Sequence, residues 1–185
     1  MNLANKITIF RILLVPFFIA SILYYGDTRT YLRFVALAIF AIASFTDAID
    51  GGIARSRGQV TDLGIVLDPI ADKLLIISAF ISLSVIKSIP LDLRIPAWAV
   101  LIVISRDIII ILGFLLIYFL KGSTSIKPSM LGKITTFFQM IAIMAILTIF
   151  KYNKFLMYPA VLFTVLSCID YIWRGSKQLS EAQEA

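Results

Sequence analysis

The chain has 185 residues, of which 60% are hydrophobic and 15% charged, and it carries a net charge of +6 at pH 7. That apolar share lies well outside the range of soluble domains, so the chain is an integral membrane protein, with room for one helical domain and no second one. The single cysteine, Cys168, excludes a disulfide framework and reads as a small buried hydrophobe, while the absence of histidine argues against a zinc or copper site.

The basic residues are spread through short segments between apolar ones, which points to anionic lipid head groups and not to nucleic acid. Near the N-terminus Lys6 and Arg11 stand too close together to frame a signal peptide. The first apolar segment is therefore expected to remain in the mature protein.

A membrane span takes about 20 apolar residues. On that measure six helices are expected, over 7–25, 32–54, 64–86, 96–120, 131–150 and 155–173. Tyr24-Tyr25-Gly26-Asp27 closes the first and Arg55-Ser56-Arg57-Gly58 the second. Ser88 to Pro96 forms a turn ahead of the interfacial Trp98, and Gly122 and Pro128 punctuate the connection after the fourth helix. The whole of 1–185 reads as a single six-helix transmembrane domain, with 178–185 a polar, frayed tail.

Six spans put both termini on one side. That side would hold Lys6, Arg11, Arg55, Arg57, Lys121, Lys127, Lys133, Arg174 and Lys177, against Arg29, Arg33, Lys87, Arg94, Lys151 and Lys154 opposite. The excess of positive charge predicts both termini in the cytoplasm of a multi-pass cell (inner) membrane protein.

Four carboxylates interrupt the apolar pattern at the end of the second segment and the start of the third: Asp47, Asp50, Asp68 and Asp72. Ionisable groups at membrane depth are costly and usually functional. Asp47 and Asp50 are three apart and Asp68 and Asp72 four apart, so on two helices each pair shares a face. Four such charges gathered in a low dielectric need cations, and carboxylate oxygen selects Mg²⁺ or Mn²⁺. Gly51 and Gly52 fall at a helical position where glycine is unfavourable, which calls for close approach of a ligand or of another helix.

The run Asp47-x2-Asp50-Gly51-x2-Ala54-Arg55-x8-Gly64-x3-Asp68-x3-Asp72 resembles the signature of the CDP-alcohol phosphotransferases and matches it at every fixed position. The resemblance spans most of the chain. It implies two Mg²⁺ or Mn²⁺ ions per active site, held by Asp47, Asp50, Asp68 and in part Asp72, with Asp72 also the general base. It further implies that Gly51, Ala54 and Gly64 make room for the cytidine nucleotide, with Arg55 beside its phosphates, and that the enzyme is a homodimer. Gly52 is not a fixed position and is left to packing.

Asn5, Thr8 and Arg11 look like the family's Asn-x2-Thr-x2-Arg opening, acceptor-side or structural in role. Arg106, in Ser105-Arg106-Asp107, and Lys133, in Gly132-Lys133-Ile134-Thr135-Thr136-x2-Gln139, match the acceptor-phosphate residues of the glycerophosphate-using members. The reaction expected from the resemblance is transfer of a phosphatidyl group from CDP-diacylglycerol to sn-glycerol 3-phosphate, releasing CMP and forming phosphatidylglycerophosphate.

Two departures keep a second acceptor open. Those members usually have Ala-Arg-Glu in place of Ser105-Arg106-Asp107, and Lys in place of Thr135. Ser-Arg-Asp followed by an Ile-rich run looks more like the eukaryotic-type cardiolipin synthases of the family, whose acceptor is phosphatidylglycerol. A reading of another class, a small cation transporter, would need polar groups through the full membrane depth, whereas here they cluster near one side.

Overall fold

A computed structural model of the chain describes the backbone of residues 3–57, 62–87, 89–90, 93–121, 129–150 and 152–183. Side chains are described for the same residues except 3–5, 47–57, 62–69, 72, 117–121 and 177–183. Six helices run in order: α1 Leu3–Leu23, α2 Tyr31–Arg57, α3 Asp62–Val85, α4 Ala97–Lys121, α5 Met130–Leu147 and α6 Asn153–Gln183. No strand occurs among the described residues.

Four of these, over Lys6–Leu23, Ala97–Leu116, Met130–Leu147 and Asn153–Ser176, are long and apolar enough to cross a membrane. In α2 and α3 the apolar stretches among the residues whose side chains are described are Tyr31–Thr46 and Lys73–Val85.

The helices form two compact units. The first takes Met1–Pro96 with Ile143–Lys151, and in it α1 packs against both α2 and α3. Phe18 and Phe40 meet with ring centroids 6.0 Å apart, both fully buried. Around them Ala36 and Ala43 of α2 and Ala71 and Ala79 of α3 are buried. Small residues at such contacts let backbones approach where the bilayer supplies no hydrophobic drive to association. The turn before α4 is tied by Arg94, whose Nε donates to the Ile89 carbonyl at 2.8 Å and whose Nη2 donates to that of Lys87 at 2.6 Å.

α5 ends in this unit on a Schellman motif. The Phe150 N–H donates to the Ala145 carbonyl at 2.8 Å and the Ile149 N–H to that of Ile146 at 3.0 Å. This requires a left-handed residue, and the position is filled by Ile149 at φ 54°.

The second unit takes Ala97–Ala142 with Tyr152–Ala185, and α4 packs on α6 within it. Arg106 reaches Ser167 and Tyr171 reaches the carbonyl of Ile110, so positions on α4 and α6 advance together and the two helices run parallel. α5 pairs in the opposite sense: Gly132 lies beside Ser167, Thr135 bonds the Phe163 carbonyl and Gln139 bonds Thr164. Phe138 stacks on Phe163 at 5.1 Å. Large apolar side chains on the outer faces, among them Leu101, Phe137, Phe155 and Trp173, are exposed, as in a protein whose solvent is lipid.

Two expectations are corrected. α6 does not stop near 173 but continues to Gln183, so 178–183 is helix and not a frayed tail. The segment is rich in Leu, Glu, Ala and Gln, which favour helix and extend one already nucleated. Cys168 is half-buried and not part of the core. Asp170 accepts from Arg174 Nε at 2.7 Å one turn away. Trp98 stands half-exposed at the start of α4, where an interfacial aromatic belongs.

Candidate active site

Asp47 and Asp50 lie in one turn of α2, and Asp68 and Asp72 in one turn of α3. Gly51, Ala54 and Arg55 follow on α2, and Gly64 opens α3. The side chains of all eight, and of Asn5, lie outside the described residues. Among the described residues there is no group of three or more metal-ligating side chains.

α1 supplies the next layer. Thr8 is 2% exposed and Arg11 3%, on the same stripe of the helix as the buried Phe18 and Ile22. The short connection 24–30 makes α1 and α2 antiparallel neighbours. Counting outward from the Phe18–Phe40 contact in equal steps, Arg11 comes level with Asp47 and Thr8 level with Asp50. Register therefore places the Asn-x2-Thr-x2-Arg opening and the first aspartate pair at one end of one helix pair.

The second unit holds the two cations matched to the acceptor's phosphate. Arg106 is 3% exposed and Asp107 fully buried. Nη1 of Arg106 donates to Asp107 Oδ1 at 2.6 Å, and Nη2 donates to Ser167 Oγ at 2.6 Å. Its Nε is buried and has no hydrogen-bond partner among the described residues. Lys133, in contrast, is exposed in the first turn of α5.

Sequence explains why that turn begins where it does. Pro128 cannot continue a helix inward, and Ser129 caps the N-terminus, its Oγ accepting from the Gly132 N–H at 3.0 Å. This turn lies against Arg106: a Cβ on Gly132 would stand 3.5 Å from Nη2 and 3.4 Å from Ser129 Oγ, ordinary contact distances. Arg106 and the Gly132–Lys133 step are thus brought together.

Ser129 and Ser167 were not among the residues singled out from sequence. The signal was present but faint: Thr164, Ser167 and Tyr171 recur at helical spacing on one face of an otherwise apolar segment. Thr135, where the glycerophosphate-using members carry Lys, is fully buried and bonds the carbonyls of Leu131 and Phe163 at 2.8 Å each. It joins α5 to α6 and faces no solvent.

Residues 1–166 match the family of CDP-alcohol phosphatidyltransferases. The chain belongs to that family. Curated relatives cover nearly its whole length. A CDP-diacylglycerol–glycerol-3-phosphate 3-phosphatidyltransferase of Bacillus subtilis is 38% identical over 195 residues, 96% of this chain and 97% of the relative. A probable phosphatidylglycerophosphate synthase of Mycobacterium tuberculosis is 34% identical over 184 residues, 96% of this chain and 83% of the relative. The Haemophilus influenzae CDP-diacylglycerol–glycerol-3-phosphate 3-phosphatidyltransferase is 34% identical over 182 residues, 98% and 94% respectively. As a CDP-alcohol phosphatidyltransferase the chain is a phospholipid-synthesising transferase and a multi-pass membrane protein.

Proposed function

We propose that this CDP-alcohol phosphatidyltransferase moves a phosphatidyl group from CDP-diacylglycerol to sn-glycerol 3-phosphate, releasing CMP and forming phosphatidylglycerophosphate. The observation that carries this reading is identity of 34–38% along nearly the full chain to relatives named for that reaction, with no break in the eight-residue signature. The family match runs continuously through both compact units, so we read them as one domain. Of the two departures from the glycerophosphate-using pattern, Thr135 serves helix packing, and Asp107 keeps a carboxylate beside Arg106.

Asp47, Asp50, Asp68 and Asp72 fit a pair of hard divalent cations, Mg²⁺ or Mn²⁺: carboxylates only, in two helical turns, with no softer ligand offered among them. Bound there, such ions neutralise pyrophosphate charge and the departing CMP. The chain's own groups do the rest. Asp72 takes the proton from the acceptor hydroxyl. Gly51, Ala54 and Gly64 leave space for the nucleotide, and Arg55 pairs with its phosphates. Arg106 and Lys133 bind the acceptor's phosphate, whose charge of nearly two calls for more than one cation. Asn5, Thr8 and Arg11 order the first carboxylate pair. The enzyme works as a homodimer in the cell membrane, its site and both termini facing the cytoplasm, where CDP-linked donors are made.

The test is release of CMP by purified protein supplied with CDP-diacylglycerol, divalent cation and one acceptor at a time. The expected result is turnover with glycerol 3-phosphate, abolished by excess chelator and restored by Mg²⁺ or Mn²⁺. Cardiolipin formed from phosphatidylglycerol, with glycerol 3-phosphate ignored, would overturn the acceptor assignment.

A further inference from the structure

Arg106 is held on two sides, and only one of the holders is its sequence neighbour. Asp107 takes Nη1; Ser167, from α6, takes Nη2. A guanidinium is planar and carries five N–H donors in a fixed fork. One anchor leaves the plane free to swing about that bond, whereas anchors on both Nη atoms fix its position and its rotation. Once both are set, Nε–H and one hydrogen on each Nη remain to be satisfied.

Nε is buried without a partner among the described residues, a costly state for a charged donor that an anion in reach would relieve. The turn carrying Lys133 lies against the same guanidinium, a Cβ on Gly132 standing 3.5 Å from Nη2. It opens an 18-residue helix, whose N-terminus favours negative charge.

We propose that Ser167 is the positioning residue of the acceptor site: by accepting from Nη2 it aims the remaining donors of Arg106 at the phosphate monoester of the acceptor. This rests on the acceptor reading given above. It separates Ser167 from the neighbouring polar pairs Gln139–Thr164 and Tyr171–Ile110, which join helices without touching a cation. A contact that merely tied α4 to α6 would change stability and leave acceptor recognition untouched.

The experiment is steady-state kinetics on the detergent-purified full chain with CDP-diacylglycerol, Mg²⁺ and glycerol 3-phosphate. Ser167→Ala is expected to raise KM for glycerol 3-phosphate about tenfold, the size of one hydrogen bond to a charged group. The kcat and the KM for CDP-diacylglycerol should stay within about twofold, and Ser167→Thr, which keeps the acceptor oxygen, should restore KM. In an Arg106→Ala background Ser167→Ala should add nothing, because both changes act through the same guanidinium.

If Arg106→Ala raises KM for glycerol 3-phosphate and Ser167→Ala does not, the positioning role falls and the acceptor reading stands. If Arg106→Ala leaves that KM unchanged, both fall together. Equal effects of Ser167→Ala on all parameters, persisting without Arg106, would reduce Ser167 to a structural contact. Should Ser167→Ala fail to fold, Ser167→Cys, similar in size but a weak acceptor, carries the same test.

Discussion

Asp72 and Arg106 are assigned different tasks, and kinetics should separate them. Asp72→Asn keeps size and removes basicity, so kcat should fall by roughly 10²–10⁴-fold with little change in KM for CDP-diacylglycerol. Near-normal kcat would end the general-base assignment. Asp50→Asn should instead lose metal dependence and turnover together. Of the acceptor cations, Arg106 is 3% exposed and Lys133 open to solvent. Arg106→Ala removes a buried cation from the acceptor's phosphate and Lys133→Ala a solvent-screened one, so the effect of Arg106→Ala on KM for glycerol 3-phosphate should exceed that of Lys133→Ala several-fold. Kinetics on the two single variants checks the order. The carboxylates and cations proposed to act here stand out in the sequence because they are charges in apolar segments. Ser167 does not, since a serine is common in a membrane helix and nothing in its neighbours marks it as the partner of a residue 61 positions away.

Apart from the end of α6, helix boundaries followed the apolar pattern within a few residues, because lipid forces every backbone polar group into intrahelical bonds and leaves little freedom about where a span may end. What the pattern left out was which helices are tied to which. The notch at Gly113 is one such tie. Tyr171 donates to the Ile110 carbonyl at 3.0 Å, and a Cβ on Gly113 would stand 2.7 Å from its hydroxyl and 2.9 Å from Cε1. Gly113→Ala gains about 1 kcal/mol in helix propensity but must displace the ring and break that bond, an overpacking cost of about 1–3 kcal/mol. The expected sum is a lower Tm. In a Tyr171→Ala background the same substitution should raise Tm, because only the propensity remains. A matching thermal-unfolding series in detergent decides it. The reverse device sits at Ile149, a β-branched residue in a left-handed conformation. Ile149→Gly should relieve roughly 1–2 kcal/mol of strain and stabilise the α5 terminus.

At the scale of the whole chain, the proposed topology of six crossings with the N-terminus inside would have the carboxylate-bearing ends of α2 and α3 face the cytoplasm, and it predicts that the end of α6 is reached from the cytoplasm and the α5–α6 connection from outside. The basic residues argue for this orientation, since Lys and Arg near span ends are retained on the cytoplasmic side. So does the chemistry, because a CDP-linked donor must be met, and CMP released, where nucleotides are made. The native chain has one cysteine, Cys168, so Cys168→Ser gives a clean background for site-directed labelling. Tyr152 in the α5–α6 connection and Ser176 near the end of α6 are both exposed, and each takes a single cysteine without disturbing the core. A membrane-impermeant maleimide should label Tyr152→Cys in right-side-out vesicles and Ser176→Cys only in inside-out ones. CMP release should likewise be detected outside inside-out vesicles. The opposite labelling pattern would place the aspartates away from the cytosolic nucleotide pool, and the orientation would then have to be reversed or the number of crossings made odd.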